Sequence, residues 1–406
     1  MKKKLIVTVL LSGFAGVTHA KNSVTLYGIL DGGLAYQSVK VTQGDNYIKT
    51  SNFGMAKFNG VRNGNRWGLR GSEDLGNGSK VIFNLESGFD LSNGKSLQGG
   101  RLFGRQSYFG VSNDNWGVLT LGRQSSIAGT TITPRGPFHV GYKQAGHLAG
   151  AFGASVFARM DNAIKYWTPT VSGLRVGVAY SGNVSKTESD VGGVHTEKKD
   201  ASNWLSAGAN YGRGPVGVGL SYDRFRKNTI DSKGVKHKGT VSMWNLFGHY
   251  DFESFKLDLG YGQVRGAIGN PNSATVEMGA TPPIGLNAEF TPLTKGMRGD
   301  GLMYHQTNGY RQQAWTVGLT VPVGEFGKLL ASYQGALTKN GDRGFDGVKS
   351  NLSIFSLGYE YSLSKRSLIY SVASYATGRL KFDNNSVNPK AKLKSTVLGV
   401  GLLHRF

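Results

Sequence analysis

Ser395-Thr-Val-Leu-Gly-Val-Gly-Leu-Leu-His-Arg-Phe406 closes the chain with alternating residues that stop on a phenylalanine. Leu398, Val400, Leu402, His404 and Phe406 share one face, and Val397, Gly399, Gly401 and Arg405 share the other. A strand that is mostly apolar on one face, with an aromatic at its rim, suits a barrel wall crossing a bilayer. Such a wall needs about 9–11 tilted residues.

Working outward, the same period of two recurs along the chain. In Ser353–Leu363, Phe355, Leu357, Tyr359, Tyr361 and Leu363 oppose Ser356, Gly358, Glu360 and Ser362. In Val216–Asp223, Val216, Val218, Leu220 and Tyr222 oppose Gly217, Gly219, Ser221 and Asp223. Leu174–Tyr180 and Trp315–Val321 behave alike. Period two over such lengths favours strands over helices.

From Val24 onward sixteen such segments alternate with short and long connections. Short turns fall at 74–78, 113–115, 172–173, 213–215, 253–254, 324–327 and 364–365. Long connections fall at roughly 38–60, 92–101, 126–158, 184–202, 227–238, 267–310, 339–350 and 379–393. The expectation is an all-β fold: one 16-stranded antiparallel transmembrane β-barrel over residues 21–406, with both termini on the short-turn side. A soluble sandwich or propeller would not combine aromatic strand faces with this terminal strand.

Residues 1–20 read as a secretory signal peptide: Lys2-Lys3-Lys4, the apolar stretch Leu5–Val17, then Thr18-His19-Ala20 as a cleavage site. The apolar stretch is too short to span a bilayer, and nothing later approaches the ~18 apolar residues of a membrane helix. Barrels escape that criterion because lipid-facing and lumen-facing residues alternate. The chain has no cysteine, so disulfides cannot contribute and a large cooperative fold must. Its 61 glycines are not periodic as in collagen and fit strand interiors and turns. The net charge is +22, with three of the lysines in the leader. Such a basic excess suggests anionic partners.

Tyr27, Trp67, Phe83, Tyr108, Trp116, Trp167, Tyr211, Trp244, Tyr261, Trp315 and Tyr370 lie mostly near strand ends. Together they suggest aromatic girdles at the two interfaces.

Ser23–Asp31 resembles the first strand of the general diffusion porins of Gram-negative outer membranes, and Asn65–Gly78 with Val81–Glu86 resembles their second hairpin. Phe103–Val111 and Trp116–Gln124 resemble the strands leading into the constriction loop. With the terminal strand, the similarity covers essentially the whole mature chain and is closest to the betaproteobacterial branch. The resemblance implies a homotrimer passing small hydrophilic solutes, with the third loop folded inward to face arginines on the opposite wall. It implies outer-membrane lipid, lipopolysaccharide and the assembly machinery as partners, Phe406 being the assembly signal. On that resemblance the wall arginines are Arg66, Arg105 and Arg159.

Residue alternation agrees for Arg66: with Trp67 and Leu69 outward, Arg66, Gly68 and Arg70 face the lumen. Arg105 is opposite in parity to Tyr108, so it faces inward if that tyrosine faces out. Arg123 shares parity with Leu119 and Leu121 and is a candidate subunit contact instead. Many members of the family place acids in loop three, yet residues 126–158 hold none and carry Arg135, His139, Lys143 and His147. The expected constriction is therefore Arg66, Arg105, Arg159, Arg135 and Lys143. Arg70, Lys165 and Arg175 extend a basic track. Rings of Arg and Lys are the usual device of anion pores, and a narrow low-dielectric lumen focuses their field. Small anions are the expected permeants. Pairing of single arginines with Asp31, Glu86 or Asp161 remains open.

An enzyme is disfavoured. The eight histidines are scattered, none stands at metal-ligand spacing with acids, and no Gly-x-Ser-x-Gly elbow occurs. Gly32-Gly33 and Gly99-Gly100 lack the helix and Lys-Ser/Thr of a phosphate loop. No cofactor or metal is implied, and no nucleic acid, since no recognition helix presents the basic residues. The alternative is a channel specific for an organic anion or other small solute. Loop six, with Pro271, Pro282, Pro283 and Pro292, would be the place for that specificity.

Overall fold

The computed structural model describes residues 22–55, 60–146, 159–230, 236–267, 309–341, 349–381 and 390–406. The leader assigned to residues 1–20, His147 and most of loop six lie outside them. Alternating sequence becomes strand throughout: β1 (Ser23–Gln43), β2 (Asn46–Met55), β3 (Arg66–Gly76), β4 (Ser79–Gly88), β5 (Gln106–Asn113), β6 (Gly117–Ser125), β7 (Arg159–Trp167) and β8 (Leu174–Val191). There follow β9 (Val194–Arg213), β10 (Val216–Ile230), β11 (Lys236–Asp251), β12 (Lys256–Ala267), β13 (Tyr310–Val323), β14 (Gly327–Asn340), β15 (Lys349–Ser362), β16 (Ser367–Lys381) and β17 (Lys390–Arg405). Among the described residues a short helix, α1 (Ile127–Ile132), and a 3-10 turn (Lys143–Ala145) interrupt them.

These seventeen segments form one antiparallel sheet that closes on itself through β1 and β17. The wall has sixteen positions, as the sequence predicts, because β2 and β3 share one. β1 pairs with β2 along its loop end, from Leu34↔Met55, and with β3 along its turn end, up to Ile29↔Arg66. Closure is completed at the terminal residue, where Phe406 N donates to Gly28 O at 3.2 Å and Gly28 N to Phe406 O at 3.1 Å. The Phe406 ring lies where a Cβ on residue 28 would stand, which is why glycine is needed there.

Side-chain alternation obeys the sequence. In β17, Leu398, Val400 and Leu402 are exposed outward, while Val397 and Leu403 are fully buried. In β10, Leu220 and Tyr222 are exposed, whereas Ser221 and Asp223 are buried. An apolar exterior over a polar interior is stable only where lipid, not water, touches the outside.

Several of the predicted long loops are instead strand continuations. β8 and β9 pair to Val191↔Val194, through most of the stretch read as a loop at 184–202. Likewise β1 and β2 pair to Gln43↔Asn46 inside 38–60. Beyond the bilayer both faces of a hairpin are wet, so apolar alternation fades while backbone pairing continues.

The aromatic girdle needs correction at four positions. Trp167 and Tyr370 are 4% exposed and point inward. Tyr27 points inward too, donating to Glu86 Oε2 and Asn84 Oδ1 at 2.9 Å. Tyr108 is inward because its neighbour Phe109 is exposed outward. The conditional placing of Arg105 by an outward Tyr108 therefore fails on its premise.

Candidate functional site

Loop three leaves the wall after β6, and its first turn is set by Ser126, whose hydroxyl accepts from Gly129 N at 3.0 Å. α1 then lies against β9 and β10, with Ile127 and Ile132 fully buried. Gly136 N donates to Asp258 Oδ1 at 3.2 Å, and Pro137 packs on Gly318. Phe138 packs on Gly358, while Gln144 Nε2 donates to Ser374 O at 2.8 Å. Gln334 Nε2 donates to Ala145 O at 2.8 Å. The loop thus follows the inner wall from β8 round to β17. Inward-facing glycines leave it room: atoms of Ile127, Thr131, Arg135, Pro137 and Phe138 occupy the Cβ space of Gly177, Gly219, Gly217, Gly318 and Gly358. Burying an apolar side chain such as Ile127 or Phe138 contributes about 1.5–3 kcal/mol, so apolar contact is a large part of the docking.

A buried polar latch ties the loop down. Arg62 Nε lies 2.7 Å from Glu360 Oε1 and 2.8 Å from the Tyr142 hydroxyl, which also donates to Glu360. Asp31 holds the Arg62 segment by accepting from Arg62 N at 2.7 Å, and Tyr370 donates its hydroxyl to Asp31. Tyr142, Lys143 and His139 all have positive φ, at 59°, 56° and 50°. Such conformations cost about 1–3 kcal/mol each and persist where the surroundings enforce them.

The wall that the described part of loop three, residues 126–146, leaves largely uncovered is β3 to β7. It carries Arg66, Arg105 and Arg159, whose charges act on one another and on Glu86. Arg105 Nε donates to Glu86 Oε1 at 2.6 Å, and Arg66 Nε to Gly64 O at 3.0 Å. Arg159 Nε is buried without a hydrogen-bond partner among the described residues. Three guanidinium groups thus face one carboxylate. Arg70 stacks over Tyr27 at 5.2 Å on the same inner face. Lys165 Nζ donates to Ser125 O at 3.1 Å, and Arg175 lies over the inward Trp167 at 4.9 Å.

The structure does not bring all the predicted residues together. Arg135 is spread against the opposite wall, donating to Val218 O at 3.0 Å and Asn210 Oδ1 at 3.3 Å. It helps line a cavity of about 390 Å³ with Arg213 and His249, near the short-turn end. Lys143 sits at the far end of the loop, within electrostatic reach of Asp31 and Asp90. Arg123 is in register with Ser107 beside a β-bulge between Gly122 and Gln124, and its charge reaches Arg159. It pairs with Asp161, which also takes Arg101 at 2.9 Å. In loop three, burial and then Arg62 push His139 below its ordinary value, so it stays neutral at neutral pH.

Sequence reading missed Arg62, Tyr142 and Glu360 as a unit. Glu360 was visible on the inward face of β15, but Arg62 lies in Gly60-Val-Arg-Asn63, which has no periodicity to orient it.

With this geometry in hand, likeness to known proteins is informative. A family profile described as Gram-negative porin matches residues 7–381. An outer membrane porin protein of Bordetella pertussis is 36% identical over 419 residues, covering 100% of both chains. Among solved structures, an anion-selective porin from Comamonas acidovorans superposes with a TM-score of 0.60 at 22% identity, covering 95% of this chain and 100% of that one. OmpT of Vibrio cholerae, solved in a trimer form, superposes at 0.56 with 14% identity, covering 95% and 99%.

Proposed function

The chain belongs to the Gram-negative porin family and is an outer-membrane channel for passive diffusion, and from that premise we propose that its channel prefers small anions. One observation carries the reading. Loop three bears no acidic residue, and the wall facing it presents Arg66, Arg105 and Arg159, with Glu86 as the carboxylate among the described residues that acts on Arg66 and Arg159 and pairs with Arg105. An excess of fixed positive charge in a narrow, low-dielectric passage raises local anion concentration and repels cations. Salt screens that field over about 8–10 Å, so selectivity weakens as ionic strength rises. Arg70, Lys165 and Arg175 continue the positive lining toward the short-turn mouth. Arg135 and Lys143 contribute to the field from the loop, not from the cluster.

The Comamonas acidovorans porin, which shares the fold, is described as anion-selective, which supports the same reading. By analogy with the trimer form of OmpT, three copies assemble, with Arg123 and its Asp161 partner as a subunit contact. Residues 1–20 serve as the export leader and 21–406 as the barrel domain. Phe406 serves recognition by the assembly machinery, and lipid with lipopolysaccharide surrounds the wall. We read the protein as a channel and not a catalyst.

The test is Arg66→Gln with Arg105→Gln in one chain, refolded and examined in planar bilayers. A fall in anion preference with unchanged oligomeric state supports the reading; unaltered preference contradicts it.

A further inference from the structure

The cavity at the short-turn end stands apart from the constriction, and the hydrogen-bonding groups around it are not all used. Its lining includes Arg135, Asn210, Arg213, Gly217 and His249, while Gly212 and Gly214 add no side chain to it. Arg213 ends β9 and Gly214 lies in the turn to β10, so the cavity sits at the mouth of the barrel. Every short turn at this mouth is described. The constriction arginines stand between β3 and β7, whereas these residues come from loop three and from β9 to β11.

Glycine makes the arrangement possible. A Cβ on residue 217 would stand 2.8 Å from Arg135 Nη1 and 2.6 Å from His249 Nε2, so a larger residue would displace both. A guanidinium only donates. Arg135 Nη1 lies 3.3 Å from His249 Nδ1, so that ring nitrogen accepts and the imidazole carries its proton on Nε2. Arg135 Nη2 donates to Asn210 Oδ1 at 3.3 Å, which turns Asn210 Nδ2 toward Thr131 Oγ1, also at 3.3 Å. Three N–H groups are then left over: one on Arg135 Nη1, one on His249 Nε2 and one on Asn210 Nδ2. No described residue accepts from them. Neither Arg135 nor Arg213 forms an ion pair with a described residue. The acids within electrostatic reach of His249 are engaged elsewhere. Asp258 accepts from Gly136 N and lies 3.7 Å from Lys256 Nζ, and Asp251 accepts from Glu253 N.

We propose that this cavity is a second anion site, at the short-turn mouth, and that it takes a small organic phosphate. A carboxylate is best met by the parallel fork of one arginine, and the fork of Arg135 is already committed to Val218 O and Asn210 Oδ1. Single N–H groups from three side chains around a positive charge suit the spread oxygens of a tetrahedral head instead. A volume of about 390 Å³ leaves room beyond that head for a short carbon body. A Cβ on residue 212 would meet nothing within 4 Å, which marks where that room lies. Arg213 at the rim draws the anion toward the opening. The site rests on the proposed anion preference, which the zero-current potential tests apart from it.

The experiment records single refolded full-length channels in planar bilayers in KCl, with glycerol 3-phosphate, inorganic phosphate or malate added to either side. Glycerol 3-phosphate should interrupt the current in saturable blocks, at lower concentration from one side than from the other. Inorganic phosphate and malate should each need at least about tenfold more. His249→Leu removes one donor and the acceptor that holds Arg135. Gly212→Leu fills the cavity and leaves every charge in place. Each should raise the blocking midpoint at least about tenfold, with heat-modifiable gel mobility showing that both chains fold. Arg66→Gln with Arg105→Gln lies on another part of the wall and should leave the midpoint within about twofold. A conducting native channel without block, or a native midpoint in Gly212→Leu, overturns the site. Equal block by inorganic phosphate or malate overturns the organic phosphate as its occupant. Block lost in the double arginine variant yet kept in Gly212→Leu places the binding at the constriction and overturns the second site. A zero-current potential of the sign set by potassium overturns the anion preference on which the site rests.

Discussion

Arg62 Nε sits 2.7 Å from Glu360 Oε1, with the two side chains only 10% and 12% exposed. The pair joins the segment after β2 to β15, and Tyr142 of loop three completes it. Two charges removed from water are tolerable here because each finds a counter-charge and the tyrosine hydroxyl fills a remaining site. Through Tyr142 this contact ties loop three to the wall beside it.

Removing one partner should therefore free the loop. Glu360→Ala leaves the Arg62 charge buried and unpaired, a loss of about 3–5 kcal/mol. Tyr142→Phe keeps the ring packed on Phe138 and Tyr370, whose centroids lie 5.4 and 5.5 Å away, and should cost about 1 kcal/mol. Single-channel records should show larger and noisier currents for Glu360→Ala and little change for Tyr142→Phe. Equal behaviour of the two would show that ring packing, not the ion pair, holds the loop.

The glycine floor under loop three predicts a steric effect. A Cβ on residue 358 would stand 2.8 Å from the Phe138 ring, whereas one on residue 248 meets nothing nearer than 3.7 Å. Gly358→Leu should displace the loop and alter conductance, and Gly248→Ala should not. Conductance unchanged in Gly358→Leu would mean that the loop yields without narrowing or widening the channel.

His139 makes loop docking sensitive to acid. Burial holds its folded pKa below the ~6.5 of an unperturbed imidazole. The docked loop therefore prefers the neutral ring, while an undocked loop takes up a proton first. Its contribution is present above that unperturbed value and is lost as pH falls below it. Open-state noise should rise between pH 7 and 5, and His139→Gln should abolish the rise. An equal rise in that variant would place the titrating group elsewhere.

Deleting Phe406 removes both backbone hydrogen bonds to Gly28 that close the sheet. Refolding yield, read from the heat-modifiable gel mobility of barrels, should drop while the secondary structure of molecules that do fold is unchanged. Native yield would show that closure needs only the rest of β17.

Much of this was legible in the residues. Strand parity in Val216–Asp223 and Ser353–Leu363 depends only on local alternation, and the structure repeats it residue for residue. The aromatics were harder. Trp167 and Tyr370 resemble girdle residues in sequence, yet they face inward because loop three and Asp31 give them partners inside. Arg66, Arg105 and Arg159 could be named from the family pattern, but Arg135 could not be placed, because its partners Asn210, Val218 and His249 are distant in sequence. The Arg62 latch joins residues almost three hundred positions apart and leaves no local trace.

The zero-current potential of the refolded channel across a KCl gradient tests anion preference most directly. It should take the sign set by chloride and move toward zero as total salt increases. A potential of the sign set by potassium would contradict a positively lined passage.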